Sequence, residues 1–219
     1  MADRPKDILI ASYNAGKVRE LVAVLRGSNF TDAPNVQWLS LSDLSSEIPS
    51  PVEVGPTFQD NAALKARYYS RASGLWTLAD DSGLEVDAIG GAPGVISARY
   101  AGTAEVAPRH VADQANNAKL IAALANVLAE RRTARFRCAL ALADGERILA
   151  CTDGVVEGLI IDDARGTGGF GYDPHFFVPR LGKTTAELSA DEKNLISHRG
   201  LAAARMRDLL RQLLERGGR

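Results

Sequence analysis

Residues 7–27, DILIASYNAGKVRELVAVLRG, set a short apolar run directly ahead of a helical repeat. Asp7 to Ser12 reads as a buried strand that runs straight into Tyr13-Asn-Ala-Gly. Behind that turn Val18, Leu21, Val22 and Leu25 recur at i, i+3, i+4 and i+7, the spacing of one helix face, and Gly27 stops the helix. A strand feeding a helix through a short polar turn is the unit from which α/β sheets are built. Working outward, Val36 to Ser40 is a second strand. A polar stretch from Leu44 to Pro56 reads as a long loop, of a length that tends to be functional. Thr57 caps a helix carrying Phe58, Ala62, Lys65 and Tyr69 up to Gly74. Leu75 to Ala79 is a strand, with Asp80-Asp81-Ser82-Gly83 expected just beyond its end. Residues 89–102 are rich in glycine and small side chains and read as ordered but irregular.

The second half adds hairpin signals. Val111 to Arg132 reads as the longest helix, with Leu120, Leu124, Val127 and Leu128 on one face. Phe136, Cys138, Leu140 and Leu142 alternate, Asp144-Gly145 supplies a turn, and Arg147 to Thr152 returns. Gly154 to Ile161 extends that sheet. A glycine-rich loop, Gly166 to Tyr172, leads into His175-Phe-Phe-Val. Ser189-Ala-Asp-Glu192 has the form of a capping box opening a short helix, and a last helix runs from about Arg199 to Glu215. Strand-to-helix units combined with a hairpin indicate an α/β or α+β fold with a mixed sheet.

The chain has 219 residues, 46% apolar and 24% charged, and no internal repeat, so it reads as a single domain over 1–219. Lys and Arg number 26 against 27 Asp and Glu, a net charge of −1. That balance argues against nucleic acid held by bulk positive charge. No apolar run approaches the roughly 20 residues that span a bilayer. The N-terminal residues carry no apolar signal core, which points to a cytoplasmic location and no membrane partner. Cys138 and Cys151 are too few and too isolated for a disulfide scaffold or zinc site, and are expected to be buried thiols.

Four polar clusters carry the chemistry. Ser12-Tyr13-Asn14-Ala15-Gly16-Lys17 is a strand-to-helix turn, where unpaired N–H groups and the Lys17 charge attract anions. It is no P-loop: position 11 holds no glycine, and Val18 stands where a Ser or Thr would meet magnesium. Asp80-Asp81 pairs two carboxylates that repel unless a cation lies near. Hard oxygen ligands of this kind suit magnesium, with Glu53 of the long loop a candidate second ligand. Gly166-Thr-Gly168-Gly-Phe170-Gly171-Tyr172-Asp173-Pro174 formally contains GxGxxG. Asp173-Pro174 and Pro179 forbid the helix a dinucleotide fold needs there. What remains is a loop that approaches a ligand closely and carries aromatics able to stack on a base. Glu192 to Arg199 brings Lys193, His198 and Arg199 together. Each cluster has a bland alternative as an ordinary turn or core element. Jointly they point to a nucleoside triphosphate.

The motifs Ser12-x-Asn14-x-x-Lys17-x-x-Glu20, Thr57-Phe58-x-x-Asn61-Ala62-x-x-Lys65-Ala66, Leu78-Ala-Asp80-Asp81-Ser82-Gly83-Leu84, Gly91-Ala-Pro-Gly94 with Ser97-Ala-Arg99-Tyr100, Gly169-Phe-Gly-Tyr-Asp-Pro174 and Glu187-Leu-Ser-x-x-Glu192-Lys193-Asn194-x-Ile-Ser197-His198-Arg199 stand in that order. Together they resemble the inosine triphosphate pyrophosphatase, or Ham1-like, family. The resemblance implies a two-lobed mixed α/β fold with a long central sheet, a substrate cleft between the lobes and a homodimer. It also implies magnesium-dependent hydrolysis of dITP, ITP and XTP to the monophosphate and pyrophosphate. Carried over by position, Asp81 is the general base and a metal ligand, with Glu53 the other metal carboxylate. Ser12, Tyr13, Asn14, Ala15, Gly16, Lys17 and Ser82 hold the triphosphate. Phe170, Gly171, Tyr172, Asp173, Lys193, His198 and Arg199 bind the nucleoside. Tyr13 departs from the pattern, since relatives vary there and often carry Gly or His. The alternatives are a Maf-like triphosphatase of other specificity and a nucleotide-binding module without turnover.

Overall fold

The computed structural model describes residues 5–27, 35–102 and 107–217. Among the described residues seven strands and five α-helices follow in the order β1 (Lys6–Ile10), α1 (Ala15–Arg26), β2 (Val36–Ser40), α2 (Phe58–Ser73), β3 (Trp76–Val86), α3 (Arg109–Ala123), β4 (Thr133–Asp144), β5 (Arg147–Ile160), β6 (Phe176–Val178), β7 (Lys183–Thr184), α4 (Ala190–Ile196) and α5 (His198–Gly217). The sheet order is β2-β1-β3-β4-β5-β6-β7. β1 pairs in parallel with β2 and β3, whereas β6 pairs antiparallel with β5 and β7. The sheet is therefore mixed, as the combination of crossover units and a hairpin requires.

The chain forms two compact units. One comprises residues up to Asp81, Cys138–Gly154 and the segment from Arg199 onward; the other comprises Ser82–Arg137 and Val155–His198. In the first, alternate strand residues Ile8 and Ile10, Leu78, and Cys138, Leu140 and Leu142 pack with Leu21 and Leu25 of α1 and with Ala202, Ala203, Met206 and Leu210 of α5. Leu21 and Leu25 lie one helical turn apart, which aims both at the sheet. In the second, Leu84 and Val86 of β3 join Leu120 and Leu124 near the end of α3, and Phe136, Val156, Tyr172 and Phe176. Full burial of each large apolar side chain contributes about 1.5–3 kcal/mol.

Local chemistry explains most element ends. Thr57 caps α2 by accepting the Asp60 N–H, and Gly74 closes it in the left-handed region at φ 72°. Ser189 and Glu192 form the expected capping box of α4. Four readings need correction. Asp80, Asp81, Ser82 and Gly83 do not follow a strand; they lie inside β3, which runs on to Val86. α3 ends at Ala123, and α5, with 20 residues, is the longest helix. Val127 and Leu128 fall beyond α3, where the buried Arg132 takes the Val127 carbonyl at 2.9 Å and Leu128 is exposed. Finally, Cys138 is buried but Cys151 is exposed. β4 alternates only as far as Arg137. From Cys138 to Ala143 every residue is buried, because alanines fill the second face.

Candidate active site

Adjacent residues of a strand face opposite sides of the sheet, and this separates the two aspartates of β3. The Asp80 carboxylate forms an ion pair with Lys17 Nζ, accepts from Arg199 Nε at 3.1 Å and accepts from the Cys138 thiol at 3.2 Å. Arg199 also pairs with Glu20. Burial alone would raise the Asp80 pKa, yet Lys17 and Arg199 hold it well below the usual carboxylate range. Burial and the Asp80 charge together keep the Cys138 thiol protonated.

Asp81 is in a different position. Lys65 of α2 donates to Asp81 Oδ1 at 2.8 Å and to Glu53 Oε1 at 2.9 Å. The long loop is extended around Glu53, with Val52 and Val54 turned outward at 79% and 74% exposure. Gly55 pins that loop to the start of α2: its N–H donates to Asn61 Oδ1 at 2.8 Å, and a Cβ there would lie 2.7 Å from Asn61 Oδ1 and Asp60 Cβ. Burial pulls the Lys65 pKa down, but attraction to Asp81 and Glu53 leaves it above its ordinary value. Burial raises the Asp81 pKa, and Lys65 does not fully offset this. One ammonium between two carboxylates is stabilised by both, while each carboxylate receives a share and feels the other.

In that cluster Asp81 Oδ2 is buried without a hydrogen-bond partner. A buried carboxylate oxygen with nothing to bind is costly. A hard divalent cation is the chemistry that two such carboxylates accommodate, the remainder of its shell coming from water and phosphate oxygens. Among the described residues no group of three or more His, Cys, Asp or Glu side chains is placed to hold a metal.

At the start of α1, Asn14 Oδ1 accepts from Gly16 N–H at 2.9 Å and Lys17 N–H at 3.2 Å. The turn is thus capped from within, and two of the N–H groups expected to meet an anion are engaged by Asn14. Ser12 accepts the Asn14 N–H, and Tyr13, half exposed, donates to the Ile48 carbonyl at 2.8 Å.

In the other unit, Asp173 organises the glycine-rich loop. Its Oδ2 accepts from Phe170 N–H at 2.8 Å and from Lys193 Nζ at 2.6 Å, and Thr185 donates to Oδ1 at 2.7 Å. Lys193 Nζ lies 5.0 Å from the Phe170 ring centroid. Gly169 permits this: at φ 72°, a Cβ would fall 2.1 Å from Asp173 Oδ2. Tyr172 is buried and donates to the Ser97 carbonyl at 2.9 Å; burial pushes its phenol pKa up. His198 stacks on Phe136 at 4.9 Å between centroids, and Phe136 meets Phe176 at 4.4 Å. Ser82 is half-buried in β3. His198 and Arg199, neighbours in sequence, therefore take different surroundings: an aromatic stack for one, the Asp80–Glu20 carboxylates for the other.

The family model described as the Ham1 family matches residues 8–209. The chain belongs to the Ham1 family. Its relatives include a dITP/XTP pyrophosphatase of Geobacter sulfurreducens, 47% identical over 93% of this chain and 96% of that protein. Another, from Shigella flexneri and of the same name, is 46% identical over 93% and 98%. A HAM1 protein from Coxiella burnetii superposes with a TM-score of 0.79 at 38% identity, covering 94% of this chain and 99% of that one. For this Ham1-family chain, sequence reasoning gave Glu20, Cys138 and Phe136 no part in a site and set Asp80 beside Asp81 at a cation, where the structure pairs Asp80 with Lys17 and Arg199. It placed Lys65 on the helix after Thr57 and in a motif, without naming what it pairs with. The available signal was its place on the buried face of α2, beside Phe58, Ala62 and Tyr69, where an unpaired lysine would not be tolerated.

Proposed function

We propose that this chain hydrolyses deaminated purine nucleoside triphosphates (dITP, ITP and XTP) to the nucleoside monophosphate and pyrophosphate. The observation that carries this reading is the Glu53–Lys65–Asp81 cluster with its partnerless buried carboxylate oxygen, in a family whose relatives include dITP/XTP pyrophosphatases. In this reading Asp81 orients a water and takes its proton as the water attacks the α-phosphorus. A carboxylate whose pKa is raised by burial is a better base near neutrality than an ordinary one. Lys65 holds the carboxylate in place. Magnesium, held by Asp81 and Glu53, would supply Lewis-acid neutralisation of the phosphates and of the departing pyrophosphate. Lys17 and the α1 turn, with Ser82, are assigned to the polyphosphate, where positioning and charge dominate catalysis.

The loop carrying Phe170, Gly171, Tyr172 and Asp173, with Lys193 and His198, is assigned to the nucleoside. A 6-keto purine offers an acceptor that His198 and Arg199 donors satisfy. Adenine offers a donor there, and each buried mismatch costs about 1–3 kcal/mol. Asp80 and Glu20 accept from Arg199 Nε and Nη1, which fixes the guanidinium in the first unit. The homodimer belongs to the same proposal, and light scattering on the purified chain tests it. Among the described residues no helix is long and apolar enough to cross a membrane. The deciding experiment is pyrophosphate release from dITP, ITP, XTP, GTP and ATP with and without magnesium. Fast, magnesium-dependent turnover of the first three is expected; equal rates on ATP and ITP overturn the specificity.

A further inference from the structure

Gly171 stands between Phe170 and Tyr172 with φ 64°, and both of its polar backbone groups go to one face of α3. Its N–H donates to Asp113 Oδ2 at 3.0 Å, and its carbonyl accepts from Asn117 Nδ2 at 2.9 Å. Residues four apart on a helix sit one above the other, so Asp113 and Asn117 present an acceptor and a donor at a spacing that matches a single residue's N–H and C=O. Asp113 is itself held, since Arg109, a further turn back, donates Nε to Oδ1 at 3.0 Å. The two carboxylate oxygens are thus divided between Arg109 and the loop. A Cβ on Gly171 would meet nothing within 4 Å. Side-chain packing around Gly171 therefore does not hold this peptide; the hydrogen bonds do.

We propose that Asp113 and Asn117 are positioning residues for nucleoside recognition, a two-point clip on the Gly171 peptide that fixes how the Phe170 ring is presented. The inference rests on the assignment of the Phe170 loop to the nucleoside. It adds a part of the protein, α3, that the motifs assigned no function. Asp173 and Lys193 anchor the loop on the Phe170 side, and Tyr172 anchors it through Ser97. The clip fixes the peptide between them, where glycine alone would leave backbone freedom.

The test is steady-state kinetics on ITP for Asn117→Ala, Asp113→Asn and the Asp113→Ala/Asn117→Ala double variant, with Phe170→Ala beside them. Inhibition by inorganic pyrophosphate, which has no base, is measured in parallel. The double variant should raise KM for ITP about tenfold, with kcat falling less than threefold, since both hydrogen bonds that fix the Gly171 peptide are lost. Asp113→Asn, which keeps an oxygen for the Gly171 N–H, should recover most of that rise. Pyrophosphate inhibition should stay within twofold. A merely structural role would lower Tm and move KM and pyrophosphate inhibition together, which overturns the clip. Unchanged KM in Asn117→Ala and the double variant, with KM raised in Phe170→Ala, also overturns it and leaves the loop assignment standing. Unchanged KM in Phe170→Ala overturns the loop assignment and the clip with it. If the double variant does not fold, the Asn117→Ala and Asp113→Asn pair decides on the same criteria.

Discussion

Asp80 and Asp81 are neighbours with the same side chain and opposite electrostatics. Asp80 has a pKa held below its ordinary value of 3.8, so its ion pairs contribute stability in full above that value. That contribution is lost as pH falls through the lower native pKa. Asp81 has a raised pKa, so its ionised form costs stability at neutral pH, and the cost disappears as pH falls through the native value. Asp80→Asn should therefore destabilise the protein by about 3 kcal/mol, the scale for removing one partner of a buried pair. It should also flatten the acid limb of stability below pH 4, as read by urea unfolding across pH. Asp81→Asn should leave urea stability equal or higher while turnover falls at least about 10²-fold, the scale of a general-base step. A loss of stability in both variants would contradict the assignment of opposite roles. Gly169→Ala places a methyl against Asp173 and Lys193 at a left-handed residue, so a large fall in Tm is expected by calorimetry.

At the scale of elements, two local devices position the charged groups. Asn14 caps α1 and thereby sets the first turn from which Lys17 reaches Asp80. Asn14→Ala should cost about 1 kcal/mol, seen as a shifted urea midpoint with an unchanged slope. Gly55 lets the Glu53 loop lie on the start of α2. Gly55→Ala should displace the loop, raising the magnesium concentration for half-maximal pyrophosphate release while Tm changes little. Both devices were legible locally: a polar residue ahead of a helical repeat, and a glycine before Pro56-Thr57. The end of α3 was not. The apolar repeat continues through Val127 and Leu128, but the helix closes at Leu124, and the chain beyond it is held by Arg132, which is buried, paired with Asp162 and bound to the Val127 carbonyl. Nothing in the periodicity of residues 111–132 contains that contact.

For the whole molecule, β3, β4 and β5 each contribute residues to both compact units, which ties the units through three continuous strands. Unfolding should be a single cooperative transition. Both tryptophans, Trp38 and Trp76, lie in the first unit, so their fluorescence reports on it alone while far-ultraviolet circular dichroism reports on both. Coincident urea transitions from the two probes are the expected outcome, and separated midpoints would show that each unit unfolds independently.

The order of strands and helices apart from β7, the caps at Thr57 and Ser189 and the stops at Gly27 and Gly74 were determined by sequence alone, since they depend on residues within a turn or two of each other. The motifs also singled out the acidic pair and the aromatic loop as candidate places for chemistry. Tertiary structure decided which cation each carboxylate meets. Asp80 and Arg199 are 119 residues apart, and Lys17 and Asp80 are 63 apart, so their pairing depends on how the sheet brings α1 and α5 to one strand. The alternation of β3 then sends Asp81 to Lys65 and Glu53 on the opposite face. Spacing along a chain carries no information about a face until the strand itself is drawn through both residues.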